Sequence, residues 1–426
     1  MGFVMINVLI VPAGTEIGRE IWFSLRHEKS IKLFLAGSDY DNHAQYYNDE
    51  YYVLPHIDQA GWVDTLNYFV QKYSIEYIFP AHDDVLLEYK RHEHEIGAKI
   101  ISPDLDCCEI TRFKSLTYKK LESVIAVPRV YLSIDEIEKW PVFVKPDRGQ
   151  GSQGTAIFYD KVGLENHLKC IDGLIISDYL PGDEYTVDCF SQRNGKVIYS
   201  QARTRERVRA GISMGSKTIE LAGIKQLAQK ISDELNLFGA WFFQLKKSTE
   251  NVLTLLEVAP RIAGTMAVNR IRGINFPLLS LYEHSNIPVK IRYLNKNVRI
   301  SRALSNKFKI DIKYTSVYID FDDTLVVKGK LWLPLIKFIF QCINNNIPCY
   351  LITRHYGDII GKLKYWRLSD VFEKVIHLTN GERKSDFIKD ENSIFIDDSF
   401  QEREEVYNQL GINCFDLSML DALLED

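Results

Sequence analysis

Residues 317–323 read Val-Tyr-Ile-Asp-Phe-Asp-Asp, with Thr324 and Leu325 directly behind them. An apolar β-type run that ends in three carboxylates has few ways to fold. Buried parallel strands read this way, and their C-terminal ends are where open α/β sheets gather ligands. Three acids at one strand end repel each other and resist ionisation unless a divalent cation or a phosphate-transfer role offsets the cost.

Behind this stretch, strand and helix patterns alternate: strands near 317–321, 348–352, 374–376 and 393–396, with helices near 333–344, 358–366 and 401–410. That alternation predicts a compact doubly wound α/β domain over 315–426. Its polar residues fall at strand ends. Asp320 and Asp322 close the first strand, Thr353 and Arg354 the second, Lys384 opens a helix, and Asp397 and Asp398 close a later strand. Residues 296–314 carry Lys296, Arg299, Arg302, Lys307, Lys309 and Lys313 and read as a polar connection.

With 426 residues, the chain has room for two or three domains. A net charge of -5 gives no global attraction to nucleic acid or anionic membrane, which leaves small anionic or zwitterionic substrates in local basic pockets. Seven cysteines without a CxxC pair, Cys107 and Cys108 adjacent, suit reduced thiols in the cytoplasm. No apolar run has the length of a signal peptide or membrane span.

The front of the chain opens as a strand over 6–11, a turn with Gly14 and Gly18, a helix through Leu25 and a strand over 31–36. Those glycines do not complete GxGxxG, so they read as structural. A strand over 75–80 is followed by His82, Asp83 and Asp84, which line a ligand crevice unless Asp83 or Asp84 serves as a helix cap. A helix carrying Lys114 follows. Then comes Pro141-Val-Phe-Val-Lys145-Pro146 and a loop containing Gly149, Gly151, Ser152 and Gly154. Glycines let backbone N–H groups turn inward on a phosphate, and a lysine at the strand end adds a point charge. A strand over 174–180 runs through Asp178, Tyr179 and Leu180 to a hinge, and Glu184 starts the next strand region. Arg203, Arg205, Arg207 and Arg209 alternate, which puts them on one face if extended. Two further strands, 239–245 and 252–258, carry Gln244 and Glu257, oxygen ligands of the kind that bind Mg²⁺ together with nucleotide phosphates; Pro260 and Arg261 follow.

The order of these signals over residues 5–295 resembles the ATP-grasp superfamily, in its carbamoyl-phosphate-synthase-like and amino-acid ligase branches. The resemblance implies a Rossmann-like pre-ATP-grasp domain over 1–103 and an ATP-grasp domain over 104–295. It implies ATP held by Lys114, Lys145 and the loop Gly149, Gly151, Ser152 and Gly154, with adenine at Asp178, Tyr179 and Leu180 and ribose at Glu184. Mg²⁺ would sit at Gln244 and Glu257, and Arg261 would face the transferred group. The family's Glu-x-Asn-Pro-Arg reads Glu257-Val-Ala259-Pro-Arg261 here, so one expected metal ligand is replaced by alanine. The activity implied is a carboxylate–amine ligation through an acyl phosphate, with a small-molecule kinase or a non-catalytic ATP sensor as alternatives. Relatives are often homodimers.

The last 112 residues resemble the haloacid dehalogenase (HAD) superfamily, through Asp-x-Asp-x-Thr, a threonine, a lysine and an Asp-Asp pair in order. By that resemblance Asp320 is the nucleophile, Asp322 the general acid and base, and Thr353 and Lys384 hold the phosphoryl oxygens of a phosphorylated small molecule. Asp397 and Asp398 complete a Mg²⁺ site with Asp320 and Asp322. Only 33 positions separate Asp320 from Thr353, and 13 separate Lys384 from Asp397, so neither interval holds a sizeable cap. The expected whole is an α/β and α+β multidomain chain whose C-terminal HAD-like Rossmannoid domain lacks a large cap.

Overall fold

The computed structural model describes the chain apart from residues 1–4, 40, 48, 49, 150, 152, 309 and 426. It divides into two compact units, Met1–Gln45 with Asp49–Leu304, and Tyr46–Asn48 with Ser305–Asp426.

The larger unit begins with a parallel sheet of β1 (Ile6–Val11), β2 (Ile31–Gly37), β3 (Tyr51–Val53), β4 (Tyr77–Pro80) and β5 (Lys99–Ile100), in the order β3-β2-β1-β4-β5. Its strands are short β-branched and aromatic runs with buried interiors, as expected when helices cover both faces. The chain winds outward from β1 to β3 and then returns to β4 beside β1. This reversal opens a crevice at the C-terminal ends of β1 and β4. Helix Glu16–Leu25 starts there, capped by Thr15, whose hydroxyl accepts from the Gly18 amide at 3.0 Å. Gly18 packs directly against the carbonyls of residues 12 and 13, a structural use.

Two antiparallel sheets follow. The smaller takes β6 (Val130–Tyr131), β7 (Val142–Pro146), β8 (Ala156–Phe158) and β9 (Leu174–Asp178), in the order β6-β9-β7-β8. The larger takes β10 (Glu184–Ser191), β11 (Val197–Thr204), β12 (Arg207–Arg209), β13 (Ile212–Ile219), β14 (Gly239–Lys247) and β15 (Leu253–Ala259). Its order is β12-β13-β11-β10-β14-β15, and β16 (Arg299–Ser301) pairs with β13. Val187, Trp241, Phe243 and Leu245 on these strands form one core with Ile224, Ala228, Ile231 and Leu235 of helix Ile224–Leu235. The spacing of those helical residues makes one apolar stripe, and Asn236 ends the helix in the left-handed region.

The sequence differs from this architecture in two places. Residues 299–301, read as part of a connection over 296–314, are a strand of the larger unit's sheet. The arginines from 203 to 209 do not share one extended face, because β11 ends at Thr204 and the chain turns before β12.

The smaller unit contains β17 (Ser316–Ile319), a hairpin of β18 (Val326–Val327) and β19 (Lys330–Leu331), then β20 (Cys349–Thr353), β21 (Lys374–His377), β22 (Ser393–Ile396) and β23 (Asn413–Phe415). Apart from the hairpin, these strands form a parallel sheet in the order β21-β20-β17-β22-β23. Separate apolar clusters cover its two faces, one around Val317, Ile319, Phe338 and Leu351, the other around Tyr318, Ile352, Phe395 and Val406. β17 stops two residues short of the expected Phe321, whose carbonyl instead accepts from the amides of Leu325 and Val326 in a tight turn. The hairpin is the structured insertion between β17 and helix Leu333–Asn344. All seven cysteines are free thiols. Among the described residues, no helix is long and apolar enough to cross a membrane.

Candidate active sites

Lys145 occupies the fourth position of β7 and is buried. Two residues on, the Asp147 carboxylate accepts from the Ser115 amide and hydroxyl, both at 2.7 Å, and the Asp147 carbonyl accepts from the Lys114 amide at 3.2 Å. These bonds pin the start of helix Lys114–Leu121 to the end of β7 and bring two lysines to one cleft. The Lys114 ammonium donates to the Gly149 carbonyl at 3.0 Å, and the Lys145 ammonium donates to the Tyr118 hydroxyl. Burial, and then the Lys114 charge, lowers the Lys145 pKa to about 7. Burial also lowers that of Lys114. Two desolvated ammonium groups with no carboxylate ion pair among the described residues suit a polyphosphate.

Across the cleft, Gln244 on β14 and Glu257 on β15 are register partners, and the Gln244 amide donates to Glu257 Oε1 at 2.6 Å. One carboxylate and one amide oxygen fit a Mg²⁺ held largely by nucleotide phosphates, and Ala259 offers no ligand atom. The hinge residues Tyr179 and Leu180 line the cleft with Phe143 and Ile157. The Asp178 carboxylate is engaged with the Arg129 amide at 3.0 Å and the Tyr131 hydroxyl at 2.8 Å, which anchors β6 to β9. Glu184 pairs with Arg205 at 2.5 Å.

The glycine loop has a neighbour that the sequence did not reveal. Gly211, in the turn after the arginines, has φ +72°, and a Cβ there would lie 2.1 Å from the Gly151 carbonyl carbon. Gly151 is itself at φ +62°, Gly154 at +67°, and Ser152 lies outside the described residues. Gly211→Ala is expected to displace the glycine loop, weaken ADP binding at least tenfold and cost about 1–2 kcal/mol of stability. Nucleotide titration and thermal unfolding check both effects.

The cleft of about 240 Å³ adjoins a second cavity of about 300 Å³, and Lys114, Gly149, Gln244 and Glu257 border both. The crevice of the parallel sheet supplies Thr15, Glu16, His82 and Asp83 to the second cavity. His82 caps helix Asp83–Arg91, its ring accepting from the Asp84 amide at 3.2 Å. The cap is therefore the histidine rather than Asp83 or Asp84. Arg261 forms a two-point pair with Asp83, Nε to Oδ1 at 2.5 Å and Nη2 to Oδ2 at 2.7 Å. Burial raises the Asp83 pKa, but the Arg261 charge and hydrogen bonds outweigh it and hold the carboxyl at about 2. Asp84 binds Arg112 at 2.9 Å and Arg148 at 2.6 Å, tying the same strand end to the approach of the glycine loop. Of the alternating arginines, Arg203 pairs with the buried Asp188 at 2.9 Å and Arg207 bonds Ser301 and the Arg302 carbonyl.

In the smaller unit, Asp320 follows β17, Thr353 ends β20 and Asp397 follows β22, the three adjacent strands at the sheet's centre. Buried Lys384, which opens the 3₁₀ turn Lys384–Phe387, donates to Asp320 Oδ1 at 2.7 Å and Asp397 Oδ2 at 2.6 Å. Burial, with Asp397 nearby and despite Lys384, raises the Asp320 pKa to about 6; burial raises that of Asp397 too. Carboxylate oxygens of Asp320, Asp397 and Asp398 lie within 4.8 Å of one another. Three acids against one lysine leave negative charge that a divalent cation fits. Asp322 does not belong to this cluster, contrary to its expected ligand role: its exposed carboxylate meets His355 Nδ1 at 2.8 Å. Thr324 donates its hydroxyl to Asp398 Oδ1 and accepts from the Asp398 amide, both at 2.9 Å, so the threonine of the acidic motif orients the distant acid. Arg403 donates to the carbonyls of Asp397 and Asp398 at 2.6 and 2.8 Å. Neither His355 nor Arg403 carried a local signal, since each acts across more than one strand connection or through main-chain carbonyls.

The larger unit thus has a polyphosphate-type cleft between two antiparallel sheets, backed by an open parallel sheet. Comparisons with known proteins agree with that architecture. Residues 171–304 match the family described as ATP-grasp in the biosynthetic pathway with Ter operon, and residues 8–101 match the PylC-like N-terminal domain. A D-alanine–D-alanine ligase of Fusobacterium nucleatum is 33% identical over 104 residues, 24% of this chain and 35% of the ligase. The chain therefore aligns with about a third of that relative's length. Biotin carboxylase from Campylobacter jejuni, solved as its beta-gamma-ATP complex, superposes with a TM-score of 0.58 at 14% identity, covering 69% of this chain and 74% of the carboxylase. The L-amino acid ligase of Bacillus licheniformis gives 0.57 at 14% identity, covering 74% and 84%. Over residues 171–304 the larger unit is thus similar to ATP-grasp proteins, and over 8–101 to the PylC-like N-terminal domain.

Proposed function

We propose that the chain is a bifunctional enzyme: an ATP-dependent carboxylate–amine ligase in the larger unit and a phosphohydrolase with an aspartyl-phosphate intermediate in the smaller. The observation that carries the ligase reading is the continuity of two spaces. Lys114, Lys145 and Glu257 surround the polyphosphate-type cleft, and the adjoining cavity contains Arg261. A carboxylate oxygen attacks the γ-phosphorus and ADP leaves. An amine nitrogen then attacks the acyl carbon, and phosphate departs with the bonding electron pair. The two lysines neutralise charge on the phosphates, while Arg261, held by Asp83, faces the acyl phosphate. Bound at Gln244 and Glu257, Mg²⁺ would supply further neutralisation of the phosphates.

For the smaller unit, Asp320 attacks the phosphorus of a phosphomonoester while Asp322 protonates the leaving oxygen. Asp322 then takes a proton from the water that opens the aspartyl phosphate. Lys384 and Thr353 hold the phosphoryl oxygens. Mg²⁺ at Asp320, Asp397 and Asp398 would reduce repulsion between anionic nucleophile and substrate.

The test measures ADP and phosphate release from ATP and Mg²⁺ across an amino-acid and hydroxy-acid library, with Asp320→Asn removing the second activity. Equal ADP and phosphate in the variant, dependent on a particular acid and amine, supports ligation. ADP without phosphate in the variant, with phosphate restored in the wild type, would replace ligation with a kinase whose product feeds the second site.

A further inference from the structure

The second cavity contains a cationic group that the proposed chemistry does not use. Arg203, on β11, is 1% exposed and lines this cavity. Its Nε and Nη2 reach the two oxygens of buried Asp188, at 2.9 and 3.2 Å. Its Nη1 is buried and has no hydrogen-bond partner among the described residues. An unsatisfied buried N–H is costly, roughly 1–3 kcal/mol, more beside a charge, so such groups call for an explanation.

Arg302 is the second cation. It follows β16, and its amide donates to the Met214 carbonyl at 2.7 Å, which fixes the backbone at the cavity wall. A Cβ on Gly264 would stand 3.3 Å from Arg302 Nη2 and 3.1 Å from the Glu16 Cβ, so the bare glycine makes room for both side chains. Burial lowers the Arg302 pKa; Glu16 opposes that shift, while Arg203 and Arg19 add to it. Arg203, Arg302 and Glu16 all line this one cavity, which places two guanidinium groups and a carboxylate on its wall.

Its charges choose the ligand. Asp188 offsets Arg203, and Glu16 offsets Arg302 on the same cavity wall, so the group carries no net charge and suits a zwitterion rather than a phosphate dianion. Arg302 and the open Nη1 of Arg203 present planar N–H donors, which match a carboxylate. Glu16 adds an acceptor for an ammonium group. We propose that Arg203 and Arg302 form a carboxylate subsite that binds a free α-amino acid through a carboxylate that is not phosphorylated. This deepens the ligase reading and rests on it for the substrate's role in turnover.

The experiment titrates the full chain with each of the twenty L-amino acids and with their α-amides, by calorimetry, with and without the ATP analogue AMP-PNP and Mg²⁺. Wild type, Arg302→Gln and Arg302→Lys are compared. At least one amino acid should bind ten- to a hundredfold more tightly than its amide. That preference should vanish in Arg302→Gln and weaken in Arg302→Lys, with AMP-PNP affinity unchanged within twofold in both. Arg302→Lys retains the charge and serves if the glutamine variant fails to fold. Equal binding of acids and amides, no amino-acid binding at all, or an undiminished preference in both variants would overturn the subsite. Failure of the wild type to bind AMP-PNP would sink the ATP-ligase reading instead, and the preference read without nucleotide still decides the subsite.

Discussion

Asp320→Asn should lower hydrolysis of a phosphomonoester such as p-nitrophenyl phosphate by about 10⁴-fold or more, because the amide is a poor nucleophile and nothing else in the cluster replaces it. The same change should stabilise the metal-free chain. Burial lifts the Asp320 pKa to about 6, above the ordinary value of 3.8, so the folded state binds more protons than the unfolded between those values. Native stability therefore falls as pH rises from about 4 to 6, and the full penalty persists above 6. Asparagine carries no such penalty. At pH 7 without metal, the variant should gain on the order of 1 kcal/mol, readable by urea unfolding. Mg²⁺ should stabilise the wild type more than the variant. A variant that retained a tenth of the wild-type rate would remove Asp320 from the nucleophile's place.

Lys145→Met should reduce ATP-dependent turnover by roughly 10²–10³-fold, comparable to removal of one preorganised donor from a transition state. Here too the cost of the wild-type residue is visible in the nucleotide-free protein. Burial and Lys114 hold the Lys145 pKa at about 7, against 10.5 ordinarily, so the folded state binds fewer protons between those values. Stability should rise with pH across that window. The advantage of the methionine variant should be largest at pH 6.5 and should shrink by pH 9.5. Bound polyphosphate favours the charged lysine, so ATP binding at pH 8 should take up a proton. Calorimetry in buffers of different ionisation enthalpy measures that uptake, which Lys145→Met should abolish; an unchanged uptake would assign the proton to another group.

The parts of the fold that were legible in the sequence are those set by local pattern. The helix Leu333–Asn344 and the strand Ser393–Ile396 stand where their apolar periodicity puts them. Lys145 was visible because a strand ends beside it and glycines follow. The illegible parts depend on contacts between distant residues. Asp83 and Arg261 are 178 residues apart, and no periodicity links them. The alternation of Arg203 to Arg209 looked like one face, yet a turn after Thr204 breaks it and Asp188 takes the first arginine inward. Asp322 stood with its neighbours in the sequence, yet its carboxylate lies outside the Asp320, Asp397 and Asp398 cluster and meets His355, 33 residues away. Strand alternation predicts faces; where the backbone leaves the strand, that prediction lapses.

β16 bears on how the two units, and the two activities proposed for them, are to be separated in the laboratory. A cut at residue 295, where the basic stretch begins, would remove the strand that bonds β13 at Gly215, Ser216 and Lys217. The truncated fragment would present a bare strand edge to other molecules, a template for aggregation. It would also lose Arg302 from the cavity wall. Loss of activity in such a fragment would then be mistaken for dependence on its fusion partner. A cut after Leu304 keeps the edge covered, and only that fragment gives a fair comparison with the intact chain.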